Sequence, residues 1–315
     1  MLRQLLIVTA VLFAGCSKAP EGQSNRPSIA VVPKGATHVF WQAVGAGAKL
    51  GGERAGLEVT WKAPLQENDR AQQIQLVQQL LSEGIAGLAL APLDHTALAP
   101  VVADAKRRKI PVVIFDSDLD GTPGTDFASF VATDNQRGGQ MAGEHLAKVL
   151  GGKGKVVLLR YLVGSASTEA REIGFLQAAH DVGLEVLVDN RHAGATVGEA
   201  KNAALQMADS LKIAQGVFCS NESATVGMLQ ALEQLGLIGK VQLVGFDCSP
   251  PLLEGLQRGA IAALVVQDPR RMGELAVQTL AEILLGKTVP PRIDTGAQLA
   301  TGKNLHEPEI ARLLR

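Results

Sequence analysis

This chain of 315 residues has few aromatic residues and almost no net charge. The sequence contains 8 Phe, 2 Trp and 1 Tyr, and its formal net charge is −1. Its basic residues are scattered, so it lacks the continuous positive surface that nucleic acids require, and we expect no nucleic-acid partner. Hydrophobic residues make up 46% of the chain and charged residues 19%, which excludes a disordered protein and is typical of a globular α/β protein.

Sequence patterns of catalysis and metal binding are also missing. Segment 164–167 lacks the closing Gly of a nucleophile elbow, and the Lys-bearing segment 151–155 has the wrong spacing for a phosphate loop. The 6 His residues are dispersed and show no paired spacing of metal ligands. We therefore expect neither an enzyme nor a metal site nor a cofactor.

The first of the three cysteines comes at the end of a segment that is typical of exported proteins. A positive start, a short apolar run over residues 5–14 and small residues precede Cys16, as in a secretory signal. The ending resembles a bacterial lipoprotein signal, which implies a signal peptide over residues 1–15, lipid attachment at Cys16 and a polar tether over 16–28. We expect an exported protein of the periplasm or cell envelope that a lipid anchors to a membrane; an ordinary signal peptide is the alternative.

The other two cysteines, Cys219 and Cys248, follow predicted neighbouring strands. They could lie close enough to form a disulfide in an oxidising compartment. Two buried thiols are the simpler interpretation. The sequence leaves both open.

Strand-like and helix-like segments alternate from residue 29 in two successive series. This pattern predicts parallel sheets joined by right-handed crossovers, and the length suits two lobes. A long predicted helix over 271–285 and a short predicted strand near 297–300 follow after the second series is already complete. They indicate that the chain returns to the first lobe, so that several segments cross between the lobes and form a hinge.

Three apolar strands end at polar residues. Asp116 and Asp247 come directly after predicted strands, and Asn221 follows another with one residue between them. In open parallel α/β sheets, ligands bind beyond the carboxyl ends of the strands. These residues therefore predict a binding crevice.

Several short segments together resemble the periplasmic ribose/galactose-type (type I) sugar-binding family over nearly all of residues 29–301. The resemblance implies two Rossmann-like lobes, each a parallel sheet flanked by helices, joined by a three-segment hinge at Thr133, Asp134, Asp268 and Asp294. It implies a first lobe of residues 29–133 plus 268–294, a second of 134–267 plus 295–302, and a tail of 303–315. The matching segments are 37–41, 114–117, 132–135, 138–139, 164–171, 174–175, 218–222, 244–247 and 266–269.

The same resemblance assigns sugar-contacting positions. An ionised Asp accepts hydrogen bonds from sugar hydroxyls, the planar guanidinium of Arg donates hydrogen bonds, and the Asn and Gln amides do both. An aromatic ring covers a C–H face of a sugar. Two departures concern the identity of the sugar: Ser117 stands where ribose binders carry Arg, and the aromatic residue expected near residues 193–195 is missing. The assigned positions are His38, Phe40, Trp41, Asp116, Arg171, Asn221, Asp247 and Gln267.

Each assignment competes with a structural role. Asn221 precedes a predicted helix and could simply cap it. Arg171 lies between Glu169 and Glu172 and could be an exposed helix charge, and Trp41 could belong to the core. The resemblance favours ligand contact for Arg171 and Trp41, whereas the two roles of Asn221 stay about equal.

The resemblance implies the substrate-binding component of an ABC importer. Such a protein would capture a monosaccharide or sugar alcohol between its closing lobes, deliver it to a membrane permease and act as a monomer. The alternatives are a periplasmic sensor or chemotaxis receptor, and a binder of a nucleoside or furanosyl signal molecule. A repressor core is disfavoured, because the sequence shows an export signal and no preceding DNA-binding motif.

Overall fold

The computed structural model describes residues 26–314. The predicted signal peptide, Cys16 and most of the predicted tether lie outside these residues. None of the helices within the described range combines the length and the apolar character that crossing a membrane would need.

The described chain alternates strands and helices, numbered here in chain order. The strands are β1 (Ser28–Val32), β2 (Glu58–Trp61), β3 (Gly87–Leu90), β4 (Val112–Phe115), β5 (Ser129–Ala132), β6 (Lys155–Arg160), β7 (Glu185–His192), β8 (Gly216–Cys219), β9 (Gln242–Phe246), β10 (Ala263–Gln267), β11 (Arg292–Asp294) and β12 (Ala297–Ala300). The helices are α1 (Val39–Ala55), α2 (Arg70–Glu83), α3 (Ala99–Arg107), α4 (Asn135–Val149), α5 (Ala166–Asp181), α6 (Val197–Gln206), α7 (Ala208–Ile213), α8 (Glu222–Gln234), α9 (Pro250–Gln257), α10 (Pro269–Leu284) and α11 (Pro308–Leu313).

Two six-stranded sheets form the two lobes. The first has the order β11-β5-β4-β3-β1-β2 and is parallel throughout, and the second has the order β12-β10-β9-β8-β6-β7, in which only β12 is antiparallel. Central strands such as β3, β4 and β8 are buried along their whole length because helices cover both faces of each sheet. This arrangement confirms the predicted α/β fold of two lobes.

Glycines let one pair of helices in each lobe approach closely. A Cβ atom on Gly139 of α4 would lie 1.8 Å from the carbonyl oxygen of Arg171 in α5, and one on Gly273 of α10 would lie 2.0 Å from the carbonyl oxygen of Val44 in α1. Any side chain at these positions would push the helices apart. The α4–α5 contact therefore fixes the backbone that carries Arg171.

The chain crosses between the lobes at three places: after β5, after β10 and between β11 and β12. Two crossings are joined to each other, since Thr133 Oγ1 donates to Gly296 O (3.1 Å) and the Asp134 N–H donates to Asp294 Oδ1 (3.3 Å). At the third, the Asp268 carboxylate accepts from the backbone N–H of Arg271 and caps α10. The residues assigned to the hinge lie at these crossings, and their hinge motion stays a prediction.

The structure adds elements that sequence periodicity missed. Strands β5 and β11 were not predicted, and the segment called a tail contains α11, whose Ile310 is buried in the core of the second lobe. Cys219 and Cys248 are free thiols. Of the two interpretations of this pair, the structure thus supports the one without a disulfide.

Replacing Gly139 with Ala should destabilise the protein by about 1–3 kcal/mol, because the new methyl group meets backbone that cannot move away. Chemical unfolding monitored by circular dichroism measures the change. The matched control is Gly198→Ala in α6, where a Cβ meets nothing within 4 Å and stability should stay equal or rise by up to about 1 kcal/mol. Equal unfolding curves for the two variants would contradict this account.

Candidate functional site

A cavity lies between the two sheets, at the carboxyl ends of their strands. All eight residues assigned from the sequence line it. Whether they contact a ligand stays a prediction. The first lobe supplies His38, Phe40, Trp41 and Asp116, and the second supplies Arg171, Asn221, Asp247 and Gln267.

Asp116 and Asp247 occupy equivalent places in the two lobes. Each follows its strand, β4 or β9, with a positive φ of 62° or 67°. Each also donates its backbone N–H to the adjacent strand, to Val131 O (3.1 Å) and Val265 O (2.8 Å) respectively. Backbone of this kind costs about 1–3 kcal/mol outside glycine and persists where its surroundings hold it, often at binding sites. The turn aims both carboxylates into the crevice.

Arg171 is buried and held on several sides. Its Nε donates to Asn135 Oδ1 (2.8 Å) and its Nη1 donates to Ser220 O (3.0 Å). The guanidinium lies 3.8 Å from the centre of the Phe246 ring and 3.9 Å from Asp247 Oδ2. Burial lowers the pKa of Arg171, and the neighbouring carboxylates oppose that shift. The alternative of an exposed helix charge is therefore wrong.

Asp247 is the carboxylate that Arg171 faces. Burial raises the pKa of Asp247, while Arg171 and a hydrogen bond from Gln267 act against that rise. Gln267 Nε2 donates to Asp247 Oδ1 at 2.6 Å. The amide is thereby fixed, with its nitrogen toward the carboxylate and its oxygen free for another donor.

Glu67, which sequence reasoning missed, organises the first-lobe side of the cavity. Its Oε1 accepts from Trp41 Nε1 (2.6 Å) and lies 2.7 Å from His38 Nδ1. Its Oε2 accepts from the hydroxyl of Tyr161, in the second lobe, at 3.0 Å. Burial alone would lower the pKa of His38, but the hydrogen bond and charge of Glu67 outweigh it and raise that pKa. The same pairing lowers the pKa of Glu67 against the effect of its burial.

Lys34 connects the two lobes with a buried positive charge. Its Nζ lies 3.3 Å from Asp116 Oδ2 and donates to Ser165 Oγ (3.1 Å) and Ser167 Oγ (2.9 Å), both in the second lobe. Next to it, Ser117 Oγ accepts from the backbone N–H of Ser167 at 3.1 Å. At the position where ribose binders carry Arg, this chain therefore has an interlobe hydrogen bond, and Lys34 supplies a charge beside Asp116.

The lobes are in a closed arrangement. At the rim, Arg70 Nη2 donates to Val163 O (2.5 Å) and the His95 N–H donates to Gly164 O (3.0 Å). A monosaccharide would need the lobes to separate before it could enter.

Two assigned residues combine a structural role with their place at the cavity. Asn221 Oδ1 accepts from the backbone N–H of Ala224 (3.2 Å) and caps α8. Trp41 is 3% exposed and its ring lies edge-on to Phe115, 6.4 Å between centres. For both residues, the capping and core interpretations are correct in addition to the cavity position.

Several cavity residues escaped the sequence analysis. Lys34 and Tyr161 follow β1 and β6, so the rule that found Asp116 would also have found them. Residues 193–195 contribute no aromatic ring, and Tyr161 is the aromatic that the second lobe supplies. The further lining residues are Lys34, Glu67, Tyr161, Ser167, Thr168 and Glu222.

A family model described as a periplasmic binding protein domain matches residues 29–288. The chain belongs to this family. The ribose import binding protein RbsB of Haemophilus influenzae is 27% identical over 292 residues, which cover 93% of this periplasmic binding protein and 97% of the relative.

Solved structures show the same fold. A carbohydrate transporter solute binding protein from Agrobacterium radiobacter, in complex with D-arabinose, has a TM-score of 0.88 and 31% identity and covers 93% of this chain and 100% of its own. The periplasmic component of a sugar transport system from Hahella chejuensis has a TM-score of 0.83 and 35% identity, and covers 87% and 100%.

The His38–Glu67 pair predicts a specific pH dependence of stability. The pKa of His38 is raised in the folded state, so its stabilisation is complete below about pH 6.5 and is lost as the pH rises through the raised value. The pKa of Glu67 is lowered, so its stabilisation is present above about pH 4.3 and is lost as the pH falls through the lowered value. The pair should stabilise the protein most between these limits.

Chemical unfolding at a series of pH values, for the native protein and His38→Gln, measures this effect. The native protein should lose stability as the pH rises above about 6.5, and His38→Gln should lack that part of the loss. His180→Gln is the control, since the His180 side chain is 89% exposed. If His38→Gln shows the native slope, the pair is not responsible.

Proposed function

We propose that this periplasmic binding protein is the substrate-binding component of an ABC importer, and that it captures a monosaccharide or sugar alcohol between its lobes and delivers it to a membrane permease. The observation that carries the proposal is the cavity, to which both lobes contribute charged and amide side chains. Among the relatives, one is named a ribose import binding protein and another is in complex with D-arabinose.

The cavity chemistry suits a polyhydroxylated ligand. Burying a hydroxyl is costly unless it finds a hydrogen-bond partner. Asp116 and Asp247 accept hydrogen bonds, Arg171 donates them, and Gln267 offers its free oxygen. Phe40 provides apolar surface for a C–H face of the ring. An analogue that lacks one hydroxyl would leave one of these buried groups without a partner.

The mechanism we propose is a shift between open and closed lobes. A ligand that touches both lobes does so only when they are closed, so its binding energy stabilises the closed form. Interlobe contacts of the protein itself, such as those of Lys34 with Ser165 and Ser167, add to that stability. The permease would then recognise the closed form. This role is capture without catalysis.

We also propose the finer details of location. The family is one of periplasmic binding proteins, and the sequence before residue 26 has the pattern of a lipoprotein signal. Lipidation of Cys16 would hold the protein at a membrane, with residues 16–28 as the lipidated tether. Mass spectrometry of the N-terminal peptide of the native protein would detect the lipid.

Titration with D-ribose, D-arabinose, D-allose, D-galactose and D-sorbitol in a calorimeter tests the proposed function. At least one should bind. Asp247→Asn should then weaken that binding by about 1–3 kcal/mol, roughly fivefold to 150-fold in Kd, because a charged acceptor is lost. The control, Asp209→Asn, changes a carboxylate that is 98% exposed and should bind like the native protein. Absence of binding to all carbohydrates would refute the function.

Small-angle X-ray scattering tests the closing motion. The ligand-free protein should have a larger radius of gyration than the closed arrangement described here, and a saturating amount of the sugar that binds should reduce it. At the same sugar concentration, Asp247→Asn should compact less. Superimposable curves with and without bound sugar would exclude closure as the mechanism.

A further inference from the structure

Two residues that line the cavity carry a buried side-chain oxygen without a hydrogen-bond partner. Within residues 26–314 there are three such atoms: Glu222 Oε2, Gln267 Oε1 and Ser249 Oγ. Glu222 and Gln267 both line the cavity. Buried polar groups in folded proteins nearly always have partners, so Glu222 Oε2 and Gln267 Oε1 are each short of a hydrogen-bond donor.

Turning the Gln267 amide would not satisfy its unpartnered oxygen. Its Nε2 already donates to Asp247 at 2.6 Å, and turning the amide would bring its oxygen against that carboxylate. The oxygen of Gln267 therefore remains an acceptor. A ligand that satisfies it must present an N–H or O–H group.

Glu222 is the carboxylate that remains when the charges of the cavity are paired. Lys34 lies 3.3 Å from Asp116, His38 lies 2.7 Å from Glu67, and Arg171 lies 3.9 Å from Asp247. Among the described residues, no ion pair involves Glu222. Three cations thus face three carboxylates, and a fourth carboxylate has none.

The positive charge that acts on Glu222 comes from His38, which is already bound to Glu67. Burial raises the pKa of Glu222, and the nearby Asp247 and Glu67 raise it further, whereas His38 and the nearby hydroxyl of Ser249 lower it. Glu222 lies in the first turn of α8, where the helix dipole favours a negative charge. That effect is weaker than the cost of burying an unpaired carboxylate, so a counter-charge is still missing.

We propose that the ligand carries a protonated amine, which binds Glu222 and donates to Gln267 Oε1. An ammonium group combines a positive charge with three hydrogen-bond donors, so one group would both pair with Glu222 and satisfy Gln267 Oε1. The ligand class is therefore an amino sugar or an amino polyol, with Glu222 as the residue that selects the amine. This inference rests on the proposed capture of a carbohydrate and specifies its chemistry.

Calorimetric titration with matched pairs of probes tests the inference: D-glucosamine against D-glucose, D-galactosamine against D-galactose, and 1-amino-1-deoxy-D-sorbitol against D-sorbitol. The buffer is held at about pH 7, where the amines are largely protonated and Glu222 is not exposed to acid. With the native protein, at least one amine should bind about tenfold or more tightly than its hydroxyl counterpart. Glu222→Gln should abolish that preference, so that each amine binds no more tightly than its hydroxyl counterpart. Glu233→Gln, on the same helix and paired with Arg258 outside the cavity, should keep the preference.

The outcomes separate this inference from the proposed function. If neutral sugars bind and every amine binds equally or more weakly, the inference is wrong and the function stands. If no probe of either kind binds, and D-ribose and D-arabinose do not bind, the function itself is wrong. If the amine preference persists in Glu222→Gln, Glu222 does not select the amine. The comparison on the native protein needs no variant, so it decides the ligand class even if Glu222→Gln fails to fold.

Discussion

Pairing of buried charges governs the crevice of this protein. An ionised side chain loses several kcal/mol of hydration when it is buried, and it recovers that loss only through a partner in good geometry. Here some of the partners come from the opposite lobe. The ammonium of Lys34 is shared between a first-lobe carboxylate and two second-lobe hydroxyls, and the carboxylate of Glu67 accepts from a second-lobe tyrosine. The pairing of the buried charges therefore depends on the closure of the lobes.

The two lobes position their cavity residues with the same geometry. Their sheets have matching strand orders, and the equivalent strands β4 and β9 both end in an aspartate with left-handed backbone. The strand-end residues of β1 and β6, Lys34 and Tyr161, correspond in the same way. Each lobe also has a glycine-mediated helix pair beside its sheet. The crevice is thus lined by two similar sets of strand ends that face each other.

Much of this arrangement was predictable from the sequence, for identifiable reasons. The alternation of apolar strands with helices predicted the α/β lobes, and the rule about strand ends predicted Asp116 and Asp247. Arg171 and Gln267 came from the family resemblance, since nothing local distinguishes them from exposed polar residues. Strand β11 has three residues, too few for a periodic signal, and β5 and β11 form because they pair with each other and β5 also pairs with β4. Glu67 and Glu222 were missed because only tertiary packing buries them.

The position of β11 has a consequence for the order of folding. The other five strands of the first sheet end by residue 132, but its edge strand comes from Arg292–Asp294, after the whole central part of the second lobe. The growing polypeptide therefore cannot complete the fold of the first lobe before it begins the second, as proteins with consecutive domains do. Both lobes can finish folding only when nearly the entire chain has been synthesised.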